Sequence, residues 1–156
     1  MRAYADTSFL VKLVTQEPGT ATAVADYRHL GRPPLFFLPL HGLEVANAIR
    51  QRAFHQRHTS PDRSTIKWER DRSLALLRNL FVRGVLIEIT YEMDAAINLA
   101  KRLSEKHTER LGCRGFDLLH VALSLELECE AFLTSDRIQG ALARAEGLAV
   151  TINADE

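Results

Sequence analysis

RGFDLLHVALSLELECEAFLTSD, residues Arg114–Asp136, is the stretch from which the fold can be read. Its first part carries Phe116, Leu118, Leu119, Val121, Leu123, Leu125 and Leu127, apolar over much of a helical circumference. That pattern predicts a buried helix over Arg114–Glu128. Asp117 falls in its first turn, where the positive end of the helix dipole favours a carboxylate. Ala131–Thr134 then reads as a short buried strand, closed by Ser135–Asp136. Ligands of parallel sheets bind outside the carboxyl ends of the strands. The stretch therefore puts two acids, Asp117 and Asp136, near one edge of a sheet.

Upstream, Arg2–Ala5 reads as a strand that stops at Asp6, with Thr7 or Ser8 capping a helix to about Thr15. A second helix is expected over Thr20–Leu30, closed by Gly31 and Pro33–Pro34. Leu35–Leu40 has strand length and is continuously apolar. A third helix is expected over Leu43–Arg57. Ser60–Pro61–Asp62 marks a new helix start, with a cap, a proline at the first helical position and an acid in the first turn. That helix runs to about Val82. The strand Val85–Ile89, a helix from Thr90 to about Lys106, a helix over Asp136–Ala145 and a strand over Leu148–Ile152 complete the chain. Short apolar strands alternating with helices predict an α/β sandwich, a five-stranded parallel sheet with helices on both faces. The helices at about 43–82 are expected to form an inserted hairpin.

The 156 residues suffice for one domain, expected over 1–156, and are too few for two comfortable ones. Twenty basic and 20 acidic residues cancel, which argues against a broad basic face but leaves room for a local basic rim. Cys113 and Cys129 have neither metal-ligand spacing nor a disulfide framework, and read as reduced thiols. No apolar run approaches the ~20 residues of a membrane helix. MRAYADTSFL has no targeting segment, so a cytoplasmic location is expected.

Two further acids follow strands. Asp6 ends the first strand, and Glu44 lies in the first turn expected of helix three, just past strand two. Each of the four has a plain explanation: Asp6 in a turn, Glu44 and Asp117 at helix N-termini, Asp136 as a helix cap. Together they would repel one another unless a cation joined them. Oxygen-only donors select a hard ion, Mg²⁺ or Mn²⁺. Such ions orient phosphodiesters, activate water and stabilise the leaving oxygen. The constellation thus points to metal-assisted phosphodiester hydrolysis.

YADTSFLVKL, HGLEVANAI, RGFDLLHVALSL and FLTSD, in that order over nearly the whole chain, resemble the PIN-domain ribonucleases, most of all the VapC-type toxins of type II toxin–antitoxin pairs. The resemblance implies a PIN-like three-layer sandwich with strand order 3-2-1-4-5. It implies Asp6, Glu44, Asp117 and Asp136 as catalytic and metal-binding residues, with Thr7, Thr134, Ser135 and Arg114 in support. It also implies an RNA substrate, a homodimer and a cognate, VapB-like antitoxin whose helical segment lies in an apolar groove. Val45, Ile49, Trp68, Leu74 and Leu77 exceed the apolar needs of an exposed hairpin and are expected to line that groove. The charged segment Thr59–Arg72 is more elaborate than in the simplest members.

His120, one turn past Asp117, is expected to be a hydrogen-bonded core residue, and Lys12 a solvated one. Arg114 is placed either to pair with an acid or to meet a phosphate. Arg50–Arg57 reads as a solvated basic face or an RNA track. Trp68 and Phe54 read as packing or partner contacts. A receiver-like signalling domain is disfavoured, because Glu88 lies inside strand three and no lysine follows strand five. A PIN nuclease outside toxin pairs and a PIN fold used only for binding remain as alternatives.

Overall fold

Strand alternation sorts the core into two layers. Ala3 and Ala5 of β1 (Ala3–Ala5) and Ala131 and Leu133 of β4 (Ala131–Thr134) face one side of the sheet. Tyr4 and Phe132 face the other. β1 and β4 run parallel with Ala3, Tyr4 and Ala5 opposite Ala131, Phe132 and Leu133. β2 (Leu35–Phe37), β3 (Leu86–Glu88) and β5 (Ala149–Ile152) complete a five-stranded parallel sheet in the order β3-β2-β1-β4-β5. This is the strand order expected of a PIN-like fold. The computed structural model describes residues 1–152, and the tail after strand five, in which no lysine was found, lies outside the described residues.

Both faces are covered. On the first lie α1 (Thr7–Val14), α2 (Thr20–His29), α3 (Pro39–Thr59) and α4 (Arg63–Val82), which pack Phe9, Leu10, Tyr27, Val45 and Ile49 against the sheet. On the second lie α5 (Met93–Leu111), α6 (Gly115–Glu126) and α7 (Arg137–Ala145), contributing Ala96, Leu103, Val121, Leu123 and Leu142. Leu133, fully buried on the interior strand β4, is worth about 1.5–3 kcal/mol by transfer from water alone. α5 ends at Gly112, whose φ of 70° is the left-handed conformation that glycine adopts without strain.

Several boundaries differ from expectation. Strand two stops at Phe37, because Leu38 takes an extended N-cap conformation and Pro39 occupies the first position of α3. Glu44 consequently sits in the second turn of that helix, not the first. Asp6, rather than Thr7 or Ser8, caps α1, accepting from the Phe9 amide at 2.9 Å. Asp62, rather than Ser60, caps α4. α5 begins later, at Met93, and continues to Leu111 rather than stopping near Lys106.

The helical hairpin α3–α4 is also less separate than expected. Val45 and Ile49 are 0% and 1% exposed, inside the first core layer. Leu74 and Leu77 pack partly against the same layer. The apolar surplus of the hairpin is thus largely core, although Ile49 also borders a cleft that it shares with Trp68. Trp68, by contrast, is 61% exposed, with the Arg72 guanidinium 5.4 Å from its ring centroid.

Candidate active site

The carboxyl edge of the sheet, where the chain leaves β1 for one side and β4 for the other, is a topological switch point. A cleft of about 570 Å³ opens there. Asp6, Thr7, Glu44, Arg114, Asp117, Ser135 and Asp136 all line it. Thr134 lies just behind. The sequence-predicted acids, 130 residues apart in the extreme, are therefore brought to one cavity, whereas Trp68, Leu74 and Leu77 lie on the hairpin away from it.

Asp6 is wholly buried. It follows β1, and its amide continues the sheet ladder by donating to the Leu133 carbonyl at 3.0 Å. Its carboxylate accepts from the Thr134 hydroxyl at 2.7 Å, from the Phe9 amide, and from Ser8 Oγ at 2.8 and 2.9 Å to its two oxygens. Burial nevertheless raises its pKa, more strongly than these hydrogen bonds lower it. An acid so placed gains from a nearby cation.

Asp117 is also buried, on the first turn of α6, and accepts from the Arg114 amide at 2.8 Å. The helix-terminus explanation is therefore true of it, and does not compete with a role in the cleft. Asp136 caps α7 through the Ile138 and Gln139 amides at 2.7 and 3.1 Å. Arg114 connects the two acids, with Nε 3.4 Å from Asp117 and Nη2 3.3 Å from Asp136. Its side chain is 75% exposed, so this pairing is weak and readily exchanged. Of its two expected roles the structure displays the ion pair.

Glu44 comes from α3, opposite Asp6. Thr7 Oγ1 donates to its Oε2 at 2.9 Å, and His120 Nε2 lies 2.8 Å from the same oxygen. Burial raises the Glu44 pKa, but the His120 and Thr7 hydrogen bonds outweigh it and the net direction is down. His120 is a buried, hydrogen-bonded residue, as expected, and lines the cleft as well.

Four residues carry more than the sequence suggested. Lys12 is 3% exposed and lines the cleft instead of standing in solvent, because α1 turns that flank inward. Ser8 ties the two central strand ends together, donating to Asp6 and accepting from the Ser135 amide at 2.9 Å. The hydroxyl two residues after Asp6 was its only signal. Phe116, expected in the core, is 57% exposed at the cleft, since the first turn of α6 projects past the sheet. Gln139 lines the cleft with a buried Oε1 that has no partner among the described residues.

All four candidate acids offer hard oxygen donors to one cleft, which fits Mg²⁺ or Mn²⁺ held through a few carboxylates and water. The fit is one of chemistry rather than of a closed cage. Among the described residues no group of three or more His, Cys, Asp or Glu side chains is arranged to hold a metal ion. Arg114 supplies the counter-charge for Asp117 and Asp136 instead. Cys113 and Cys129 are buried free thiols, and burial pushes Cys129 up to about 12, which removes it as a ligand or nucleophile. Among the described residues no helix is long and apolar enough to cross a membrane.

The PIN domain family model matches residues 3–148. No curated protein matches the sequence. Among solved structures, the crystal structure of PAE2754 from Pyrobaculum aerophilum is similar, with 16% sequence identity and a TM-score of 0.54. The match covers 96% of this chain and 89% of that one. At this identity the likeness is one of fold.

Proposed function

We propose, from the premise that this chain belongs to the PIN-domain family, a nuclease fold, that it is a Mg²⁺- or Mn²⁺-dependent endoribonuclease of the VapC toxin type. The observation that carries this is the convergence of Asp6, Glu44, Asp117 and Asp136 on one cleft at the switch point of the sheet.

A divalent ion held there by these acids would supply positive charge to orient the phosphodiester and make a water more acidic. Asp6 and Asp117, the most buried, are the first candidates for holding it. The remaining work belongs to the chain. Glu44 accepts the proton of an incoming water. Arg114, loosely paired and exposed, is free to exchange a carboxylate for a substrate phosphate. Phe116 presents an open ring at the cleft on which an unstacked base can rest. In the net reaction water adds to phosphorus, and the bond to the leaving ribose oxygen breaks as that oxygen takes a proton. The test is cleavage of RNA by the purified protein, with and without divalent ion, beside an Asp6→Asn variant. Absence of metal-dependent cleavage by the wild type would leave a PIN fold used for binding.

The toxin assignment further proposes a cognate antitoxin seated on the α3–α4 hairpin. Trp68 and Phe54 are 61% and 57% exposed there, beside clefts lined by Arg52, Arg70 and Arg72 and by Arg50 and Arg57. Leu74 and Leu77 support this surface from beneath. Trp68→Glu with Phe54→Glu should abolish capture of a co-expressed antitoxin while leaving the melting curve intact. Unchanged capture would remove the hairpin from the interface. A homodimer in the cytoplasm is part of the same proposal. Light scattering at micromolar concentration should return twice the chain mass, and a monomer would refute it.

A further inference from the structure

A buried chain of hydrogen bonds runs from the core into the cleft. Tyr4 of β1 is fully buried on the second core layer, and His120 of α6 is 2% exposed. The Tyr4 hydroxyl lies 2.8 Å from His120 Nδ1, and His120 Nε2 lies 2.8 Å from Glu44 Oε2. Three elements distant in sequence thus meet in one line of polar groups.

Proton accounting gives the line a direction. Among the described residues His120 Nδ1 is the only hydrogen-bond partner of the Tyr4 hydroxyl. A tyrosine hydroxyl carries its proton at neutral pH. A buried phenol O–H with one available acceptor donates to it. Nδ1 therefore presents a lone pair, and the single proton of a neutral imidazole sits on Nε2. Nε2 then donates to Glu44 Oε2, as does Thr7 Oγ1 at 2.9 Å.

We propose that Tyr4 and His120 are positioning residues that lock one tautomer of the imidazole and thereby aim the second oxygen of Glu44, Oε1, into the cleft. Both donors bind Oε2, and Oε1 receives no protein donor among the described residues. Ring packing holds the line in place. His41 stacks on His120 with centroids 5.4 Å apart and an interplanar angle of 25°. Tyr4 stacks on Phe132 at 5.6 Å and 10°. His41 itself is fixed by the Leu38 amide, which donates to its Nδ1 at 3.0 Å. The imidazole of His120 is thus packed against the rings of His41 and Tyr4.

The proposal rests on the nuclease assignment of this cleft, with Glu44 as its target. Its test compares wild type, Tyr4→Phe, His120→Gln, His120→Leu and Asp6→Asn. Mn²⁺ binding is read from the free-ion signal in electron paramagnetic resonance, and kcat and KM from cleavage of a mixed-sequence fluorogenic RNA. His120→Leu removes the donor and should lower kcat by about 10–100-fold and weaken Mn²⁺ binding similarly, with KM little changed. His120→Gln can place an amide N–H where Nε2–H stood, and should restore most of both. Tyr4→Phe removes one hydroxyl and lets the imidazole proton sit on either nitrogen, so kcat should fall severalfold at unchanged fold. Wild-type Mn²⁺ affinity and kcat in both Tyr4→Phe and His120→Leu, with Asp6→Asn inactive, would overturn the proposal and leave the nuclease site standing. Equal losses in His120→Gln and His120→Leu would also overturn it, making ring packing the cause. If the wild type cleaves no RNA, the nuclease assignment fails. The Mn²⁺ affinities of the same variants then decide the aiming of Glu44 by themselves. Should His120→Leu fail to fold, Tyr4→Phe and His120→Gln carry the decision.

Discussion

Asp6→Asn and Asp117→Asn should each reduce RNA cleavage by about 100-fold or more, the scale of losing one charge aimed at a reacting phosphate, while both variants fold. Asp6 carries the sharper form of this expectation. Its carboxylate is completely buried and burial raises its pKa. In the window between the ordinary aspartate value and its raised folded value, the folded state binds more protons than the unfolded one. Stability therefore falls as pH rises through that window, and at neutral pH the ionised group is a net penalty. Asparagine removes the charge and nearly keeps the shape. The Ser8 and Thr134 hydroxyls, which donate to Asp6, can turn and accept from the new amide. In metal-free buffer at pH 7 the Asp6→Asn protein should melt no lower than wild type. Its advantage should shrink as the pH falls through the raised Asp6 pKa. Glu44 has the opposite sign. Its folded pKa is lowered, so its contribution is complete above the ordinary glutamate value and is lost only as pH falls through the lower folded one. Thermal melts of wild type and variant across this range, beside the cleavage assay, separate the two acids. Full cleavage by both purified variants would end the nuclease assignment.

Added Mn²⁺ should raise the melting temperature of the wild type, and chelator should stop cleavage reversibly. An ion that binds only the folded state stabilises it by about 2.7 kcal/mol at a hundredfold excess over its dissociation constant. For a chain of this size that corresponds to about 5–10 °C. Asp6→Asn should lose most of the rise. Mg²⁺ should give a smaller shift than Mn²⁺ at equal concentration, following the affinity order. Ca²⁺ should bind yet support little hydrolysis, because it is larger and holds its waters less rigidly. Cleavage of equal rate in chelator and in Mn²⁺ would mean that the four acids have only their separate structural roles in the turn and at the helix ends.

Periodicity and punctuation determined a good deal by themselves. The buried α6, the strand Ala131–Thr134 and the alternation of strand and helix followed from apolar spacing. The resemblance carried by four short motifs supplied the strand order, which periodicity does not encode because it reports local geometry only. The four acids were legible because each lies just past a strand or near the start of a helix, positions that a parallel sheet gathers at one edge. What the sequence could not determine were relations between elements. Lys12 looks like any surface lysine until α1 is set against α3, and Phe116 like core until the first turn of α6 overhangs the sheet. Val45 and Ile49 read as hairpin surface until α3 was packed on the first core layer, which buries both. Tyr4 gave no polar signal at all, since a strand tyrosine reads as apolar filling until its hydroxyl meets His120 across 116 residues. Local propensity acts within a few residues, whereas hydrogen-bond partners and exposure are set by packing between segments distant in sequence, so only the tertiary structure decided them.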